Sequence, residues 1–285
     1  MYLAQSTVSH RLKALEDELG CRLVERNKGK TSITFTDRGK AFIPIAEKWI
    51  SVYLETCNFR ATDEQFYITL GSVDSYSAYI FPAFYRKIFA EHPSLHLTIK
   101  TFQIAGLFRN LANQTIDIAL SSHSMSDAGV LNTALFSEPI YFLCSADRDP
   151  YPEYVDVQTL DPNLELYFNW SVDYQSWHQY WFGLLVNPRI VLDKASLIRQ
   201  YLLDSPYWAA ASASVARNLV LSGGIHCHRL LQPPPERTCY RIVSKGSRLL
   251  HHEAYHFFNL ELDSFVRDHV SELFKADHEW VYAPE

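Results

Sequence analysis

The sequence contains no run of about 18 apolar residues, and its first residues are polar, so neither a membrane-spanning helix nor a signal peptide is predicted. The five cysteines are scattered and odd in number, and no CxxC pair occurs. A disulfide framework is therefore not expected, and a reduced cytosol is the compartment that fits best. We expect a cytoplasmic protein without a membrane partner.

Motifs that would indicate catalysis or a metal centre are also missing. No GxSxG nucleophile elbow, no phosphate-binding P-loop and no HExxH zinc motif occurs. His226 and His228 flank Cys227, but only the two histidines share one side of an extended chain, and no second spaced pair completes a ligand set. The sequence therefore predicts a protein that is not an enzyme and has no cofactor and no metal site.

The composition is that of a globular protein, with 47% hydrophobic and 20% charged residues, and a length of 285 residues allows two or three domains. Residues 1–60 hold 10 of the 26 lysines and arginines but only 7 of the 32 acidic residues. A basic beginning on an acidic body fits a DNA-binding segment attached to a body that stays off DNA.

The first amphipathic segment has the pattern of a short helix. Ser6 is the predicted N-cap, and Gly20 is the predicted stop, because glycine adopts the left-handed conformation at little cost. Apolar residues recur at helical spacing, at Val8, Leu12, Leu15 and Leu19. Small polar and cationic side chains project elsewhere, which suits a helix in the DNA major groove but also an ordinary surface helix. They are Thr7, Ser9, His10, Arg11 and Lys13.

A strand, a glycine-containing turn and a second strand follow this helix. The segments are Cys21–Arg26, Asn27–Lys30 and Thr31–Phe35. Thr36 is placed to cap a further helix that begins at Asp37. A helix followed by a hairpin with two lysines, Lys28 and Lys30, is the layout of a winged helix-turn-helix.

This stretch resembles the LysR-type family of bacterial transcriptional regulators. The matching residues are Ser6-Thr7-Val8-Ser9, Leu12, Leu15-Glu16, Leu19-Gly20, Leu23, Glu25-Arg26, Phe35-Thr36-Asp37 and Gly39. The resemblance implies binding to operator DNA through Thr7, Ser9, His10, Arg11 and Lys13 of the helix and through Lys28 and Lys30 of the wing. In the family, two further helices of the same domain precede this helix, and here they are expected to be missing. The alternative is a truncated small-molecule-binding protein that no longer binds DNA.

Residues 37–62 are predicted to form a linker and dimerisation helix. Its apolar side chains, among them Ile45, Trp49 and Val52, follow one broad stripe, and Pro44 should distort it about two turns from its start. Packing onto the chain's own body would cover the stripe. The family resemblance instead implies antiparallel pairing with a second copy, so a homodimer or homotetramer is expected.

From Phe66 onward, predicted strands alternate with predicted helices, which indicates βαβ units and a mainly parallel sheet. The pattern repeats from Leu164, and a strand at Tyr240–Val243 returns to the first half. The LysR resemblance continues through Asp117-Ile118-Ala119-Leu120, although Gln114 or its neighbourhood lacks the family's usual glycine. The predicted fold class is α/β, with a two-lobed domain similar to periplasmic binding proteins.

The predicted domains are a partial winged helix-turn-helix at 1–36, the linker helix at 37–62 and an effector-binding domain at 63–285. The first lobe of that domain is expected at 63–143 and 240–285, and the second at 144–239.

Open α/β sheets bind ligands beyond the carboxyl ends of their strands. That rule places a small-molecule effector near residues that follow predicted strands, namely Asp74, Ser75, Gln103, Ser121, Ser171 and Asp193. Helix N-termini favour an anion, although each serine could equally be a helix cap. The resemblance implies an organic acid or amino acid. Asp74, where the family often has a small hydroxyl residue, would favour an amine.

Overall fold

The computed structural model describes residues 5–26, 33–58, 65–247, 250, 253–270, 273–274 and 280–281. The chain divides into two compact units, Met1–Glu64 and Gln65–Glu285. Among the described residues, no helix combines the length and the apolar character needed to cross a membrane.

In the first unit, the described residues form two helices joined by a short antiparallel strand pair. The elements are α1 (Gln5–Leu19), β1 (Val24–Arg26), β2 (Ile33–Phe35) and α2 (Asp37–Asn58). Ser6 lies inside α1 and not at its cap, which corrects the prediction. Gly20 follows α1 with φ +65°, the left-handed conformation expected of a helix stop. The predicted wing residues Lys28 and Lys30 lie outside the described residues.

Backbone contacts fix the connection between α1 and α2. One carboxylate oxygen of Glu16 accepts the N–H groups of Leu23 at 2.6 Å and of Val24 at 3.0 Å. Thr36 caps α2, as predicted, because its hydroxyl accepts the N–H of Gly39 at 2.9 Å. A side chain at Gly39 would collide with the carbonyl group of Leu23, so only glycine fits this close approach. Glu16, Thr36 and Gly39 of the family pattern therefore each have a structural role in this connection.

Helix α2 runs through Pro44 without interruption. Several large apolar side chains on it are exposed, and Trp49 is the most exposed of them at 77%. The others are Ile45, Ile50, Val52 and Tyr53.

The first lobe of the second unit is built on a five-stranded sheet with the order β4-β3-β5-β13-β6. β3, β4 and β5 are parallel, and β13 is antiparallel to both of its neighbours. The strands are β3 (Phe66–Ser72), β4 (Leu95–Thr101), β5 (Ile118–Ser121), β6 (Val130–Glu138) and β13 (Arg237–Ser244). The helices are α3 (Pro82–Glu91), α4 (Ile104–Ala112) and α8 (Glu253–Phe265). Tyr255, Phe258 and Leu262 of α8 enter this core, so α8 packs on the first lobe.

The second lobe contains a four-stranded sheet with the order β11-β7-β12-β8, and a separate parallel pair. The sheet strands are β7 (Ile140–Ser145), β8 (Tyr154–Val155), β11 (Trp208–Ser212) and β12 (Ile225–Leu230). The parallel pair is β9 (Leu166–Phe168) and β10 (Ile190–Leu192). The helices are α5 (Val172–Phe182), α6 (Ile198–Leu202) and α7 (Ala213–Leu221).

The boundary between the lobes differs from the predicted one. β7 was predicted to lie mostly in the first lobe, within 63–143, but it pairs with β11 and β12 of the second. The chain therefore crosses near Pro139, and it returns at Arg237, where β13 begins to pair with β6. β8 and β12 were not predicted, and the four-stranded sheet is mixed rather than mainly parallel.

Two predicted helices are interrupted. The segment Ser75–Ala90 contains a π-helical turn, Tyr76–Ile80, before α3 starts at Pro82, because proline lacks an N–H and is accommodated best at a helix start. The segment Ala195–Leu203 begins as a 3-10 turn before α6.

Candidate functional site

A cavity of about 230 Å³ lies between the two lobes of the second unit. Its lining comes from segments that follow the carboxyl ends of the parallel strands β3 and β4 in the first lobe and β9 and β10 in the second. This is the region in which the rule for open α/β sheets predicts a ligand site. Of the predicted residues, Asp74, Ser75, Gln103 and Asp193 line the cavity.

The other two predicted residues, Ser121 and Ser171, do not line it. The hydroxyl of Ser171 accepts the N–H of Tyr174 at 3.0 Å and caps α5. The hydroxyl of Ser121 accepts the N–H of His123 at 3.0 Å. Both oxygens thus serve local backbone groups.

Ser75 differs from these two serines. It precedes a helical turn but makes no capping hydrogen bond, and its buried hydroxyl has no partner among the described residues. A buried hydroxyl without a partner carries a desolvation penalty.

Arg237 is the principal residue of the cavity that the sequence analysis missed. Its side chain is only 2% exposed and lies between the rings of Tyr76 and Trp170, 4.2 and 5.2 Å from their centroids. One terminal nitrogen contacts Glu138 at 3.3 Å, and the Nε–H has no partner among the described residues. Arg237 is therefore a buried cation paired with Glu138, and its Nε–H has no partner among the described residues.

Several hydrogen bonds between described residues cross from one lobe to the other, and three of them involve residues that follow the strand ends near the cavity. The side-chain amide of Gln103 donates to the backbone oxygen of Asp193 at 2.7 Å. The N–H of Ser196 donates to the Asp74 carboxylate at 3.4 Å, and the N–H of Val172 donates to Nε2 of His123 at 3.3 Å. The lobes are thus held together by polar contacts at the cavity edge, and a ligand that changes these contacts can change their separation.

The contact with Val172 fixes the protonation state of His123. Because a backbone N–H can only donate, Nε2 accepts, and the ring proton lies on Nδ1, which is 3.1 Å from the Ser122 hydroxyl. Burial lowers the pKa of His123, nearby Arg237 lowers it further, and Asp173 acts in the opposite direction. The neutral imidazole is therefore the form that joins the lobes.

The first unit presents its polar residues on the outward face of α1. With about 3.6 residues per turn, His10 lies opposite the apolar stripe, and Thr7 and Lys13 flank it. His10, Arg11 and Lys13 are exposed, whereas Thr7 and Ser9 are half-buried.

Part of the opposite, apolar stripe is uncovered. Val8 and Leu19 are about half-exposed, while Leu12 and Leu15 are partly buried.

Signals in the sequence for the missed residues were weak. Arg237 begins β13, but the predicted strand started only at Tyr240, and a single arginine before an apolar run is usually a surface residue. His123 lay in the segment predicted to follow the third strand, yet nothing in the sequence places α5 next to it.

These two units together define a class of protein, in which a helix-turn-helix segment is attached to a two-lobed α/β ligand-binding domain. Family comparison identifies it further. Residues 63–262 match the LysR substrate binding domain, and residues 1–40 match the bacterial regulatory helix-turn-helix protein of the lysR family. The chain belongs to the LysR family. The match across residues 1–40 does not favour the alternative of a binding protein without a DNA-binding unit.

Individual relatives are transcriptional regulators rather than enzymes. A probable nitrogen assimilation transcriptional activator of Synechococcus elongatus is 29% identical over 151 residues, covering 50% of this chain and 48% of the relative. A probable RuBisCO transcriptional regulator of Phaeodactylum tricornutum is 27% identical over 123 residues, covering 42% and 39%. The aligned region spans about half or less of the length of these relatives.

Solved structures show the same fold over nearly the whole chain. CbnR, a LysR family transcriptional regulator, has a TM-score of 0.69 at 15% identity, covering 93% of this chain and 91% of CbnR. A full-length OxyR variant from Pseudomonas aeruginosa has a TM-score of 0.60 at 20% identity, with coverage of 93% and 91%. A winged helix-turn-helix, a long linker helix and a two-lobed α/β unit are therefore the fold of this chain.

Proposed function

We propose that this protein regulates transcription by binding operator DNA through α1 and by sensing a small carboxylate in the cavity between its lobes. The observation that carries the proposal is the coexistence of an exposed polar helix face in one unit with a cavity in the other that holds two donors without partners, Ser75 and Arg237. The LysR family match supports both parts.

Base recognition is assigned to the N-terminal half of α1, and phosphate binding to its cations. Thr7, Ser9 and His10 have short or planar polar side chains that suit base edges, whereas Arg11 and Lys13 suit phosphates. Asp17, farther along the same helix, would repel phosphates, so the contact should not extend to the end of α1. Lys28 and Lys30 are proposed to contact the backbone from the wing.

A gel-shift titration of the upstream DNA at several salt concentrations tests this assignment. Arg11→Ala should weaken binding to all sequences and reduce the slope of log affinity against log salt by about 1. Lys40→Ala removes the same charge from an exposed position outside the proposed face and should leave affinity and slope unchanged. Equal losses in both variants, or no retardation of DNA by the wild-type chain, would contradict the proposed DNA surface.

The effector is proposed to be anionic at one end. Ser75 and Arg237 line the cavity, and each has a buried donor without a partner among the described residues. We propose that a small shift of these side chains on binding lets a carboxylate accept from both. Asp74 and Asp193 also line the cavity, so a second, cationic group on the ligand would be favoured on that side. An organic acid uses the first pair alone, and an amino acid uses both.

A thermal-shift screen of organic acids and amino acids tests the ligand class. A ligand at a hundred times its dissociation constant stabilises the protein by about 2.7 kcal/mol. Ser75→Ala should leave the free protein equally or more stable, since the hydroxyl has no partner, yet reduce the ligand-induced shift. Ser171→Ala should lower the stability of the free protein, because it removes a helix cap worth about 1 kcal/mol. It should leave the ligand-induced shift unchanged, because Ser171 does not line the cavity.

The same screen separates the two ligand classes. Asp74→Asn should abolish the shift by an amino acid but preserve or increase the shift by an organic acid. A panel in which Ser75→Ala and Ser171→Ala behave alike would exclude the proposed anion site.

A homodimer formed through α2 completes the proposal, and tetramers are compatible with it. A row of large exposed apolar side chains on one helix is more than a monomer usually leaves in water. Pairing two copies of α2 would bury them, and two copies of α1 would then meet two half-sites on DNA.

A further inference from the structure

One face of the sheet in the second lobe gathers three groups that can bind metals. In the antiparallel pairing of β7 with β12, Cys144 is opposite His226, and Phe142 is opposite His228. Alternate residues of a strand share a face, so Cys144, His226 and His228 lie on the same side of this strand pair. The 3-10 turn after β7, Ala146–Arg148, then brings Asp149 to that side.

The donor atoms of these residues lie close together. Nε2 of His228 is 2.9 Å from a carboxylate oxygen of Asp149 and 3.8 Å from the sulfur of Cys144. The three ligand atoms lie within 4.8 Å of one another, and no other such group was found in the part of the chain that the structure describes. His228 and Cys144 are buried, at 0% and 2% exposure.

The protonation of His228 indicates what belongs between these atoms. Its Nδ1 lies 2.9 Å from the backbone oxygen of Pro152, which can only accept, so Nδ1 carries a proton. Nε2 then faces the Asp149 carboxylate and the Cys144 sulfur. Metal-bound histidines are oriented in the same way, with the other ring nitrogen donating to a carbonyl or carboxylate.

We propose that Cys144, Asp149 and His228 bind a divalent transition-metal ion of the zinc class, with water as the fourth ligand. Zinc bonds of about 2.3 Å to sulfur and 2.0–2.1 Å to nitrogen in a tetrahedral site place those two atoms about 3.5 Å apart. The observed 3.8 Å between the Cys144 sulfur and Nε2 of His228 lies near that value. The distance from Nε2 of His228 to the Asp149 oxygen, 2.9 Å here, has to increase by only about half an ångström. A thiolate, a carboxylate and a neutral imidazole neutralise the two positive charges of the ion.

To bind the ion, the thiol of Cys144 has to lose its proton to solvent, and Nε2 of His228 has to present a lone pair. Burial raises the pKa of the Cys144 thiol, and nearby Asp149 raises it further, so a thiolate forms there only with a bound cation. Metal affinity should therefore fall as the pH falls.

His226 has a positioning role at the entrance of the site. Its ring is half-exposed, and its Nδ1 lies 2.7 Å from the same Asp149 oxygen that contacts His228. It orients the carboxylate and leaves a path from solvent. None of these four residues lines the cavity between the lobes, so the metal site stands independently of the effector proposal.

The plain alternative is a buried ion pair between His228 and Asp149 that binds no metal. Titration of the full-length, metal-stripped protein with Co²⁺ separates the two. The proposal requires one equivalent of cobalt per chain, a near-ultraviolet charge-transfer band from thiolate to cobalt, and loss of that band when Zn²⁺ is added. Failure of the wild-type protein to develop the band overturns it.

Variants locate the site. Cys144→Ala should abolish the band, whereas Cys227→Ala, on the opposite face of the neighbouring strand, should retain it. If circular dichroism shows that Cys144→Ala does not fold, Asp149→Asn replaces it and should weaken cobalt binding at least tenfold, a loss at the low end of that seen for supporting residues of metal sites. His226→Ala should weaken binding but keep the band. A band that persists in Cys144→Ala, or unchanged affinity in Asp149→Asn, refutes the assignment.

Discussion

At the scale of single residues, Gln114 holds the backbone in an unfavourable conformation. It follows α4 with φ +58°, in the left-handed region that glycine adopts without strain. The family usually has a glycine near this position, and this backbone conformation explains why. The present sequence lacks that glycine. Any other residue here costs about 1 kcal/mol in local strain.

Gln114→Gly should stabilise the protein. Relief of the strain outweighs the added entropy of the unfolded chain, for a net gain of about 0.5 kcal/mol in the free energy of unfolding. Asn113→Gly is the matched control, because Asn113 has φ −81° and glycine there gains nothing, so it should destabilise. Urea unfolding of both variants measures the difference, and a loss of stability in Gln114→Gly would show that the side chain contributes more than the backbone strain costs.

Residue roles were predictable only where a local pattern determines them. The stop at Gly20 and the cap at Thr36 depend on neighbouring residues and were predicted correctly. Ser75 and Ser171 look alike in sequence, and only the structure shows that one caps a helix and the other does not. Arg237 becomes part of the cavity through Tyr76 and Trp170, which are far from it in the chain.

At the scale of elements, α2 supports a direct test of dimerisation. Ile45 and Trp49 lie one turn apart on its exposed apolar stripe. Glutamate in place of either puts a charge into the stripe, which should prevent two copies of α2 from pairing and convert the dimer to monomers. Lys40→Glu, on the opposite side of the helix, introduces a charge that should have no effect on mass. Light scattering behind a sizing column reports the result. If Trp49→Glu keeps the mass of the wild-type assembly, α2 is not the dimer contact.

The elements of the first lobe followed their sequence patterns closely, and those of the second did so less well. A short apolar run predicted β3, and alternation of apolar and polar residues predicted β4, because each strand has a local pattern of its own. β12 has histidines at alternate positions and resembles a polar loop, so it was missed. Its register with β7, about 80 residues away along the chain, brings Cys144 beside His228, and no local pattern encodes that pairing.

At the scale of the whole ligand-binding unit, lobe closure should depend on pH through His123. The neutral ring accepts the N–H of Val172, so a proton on Nε2 would place two donors against each other. Because the pKa of His123 is lowered when the lobes are joined, the contact is fully present above the ordinary value of about 6.5 and is lost as the pH falls through the lowered pKa.

The melting temperature of the wild-type protein should therefore fall as the pH is lowered below about 6.5. The His123→Gln variant should lose less of its melting temperature over the same interval, since a glutamine oxygen can accept from Val172 at every pH. The other histidines titrate in both proteins, so the difference between the two curves isolates His123. Small-angle scattering should show a larger radius for the wild-type protein than for the variant at the acidic end. Parallel melting curves would mean that the contact with Val172 does not hold the lobes together, and the hydrogen bonds from Gln103 and to Asp74 would then be the links that an effector has to change.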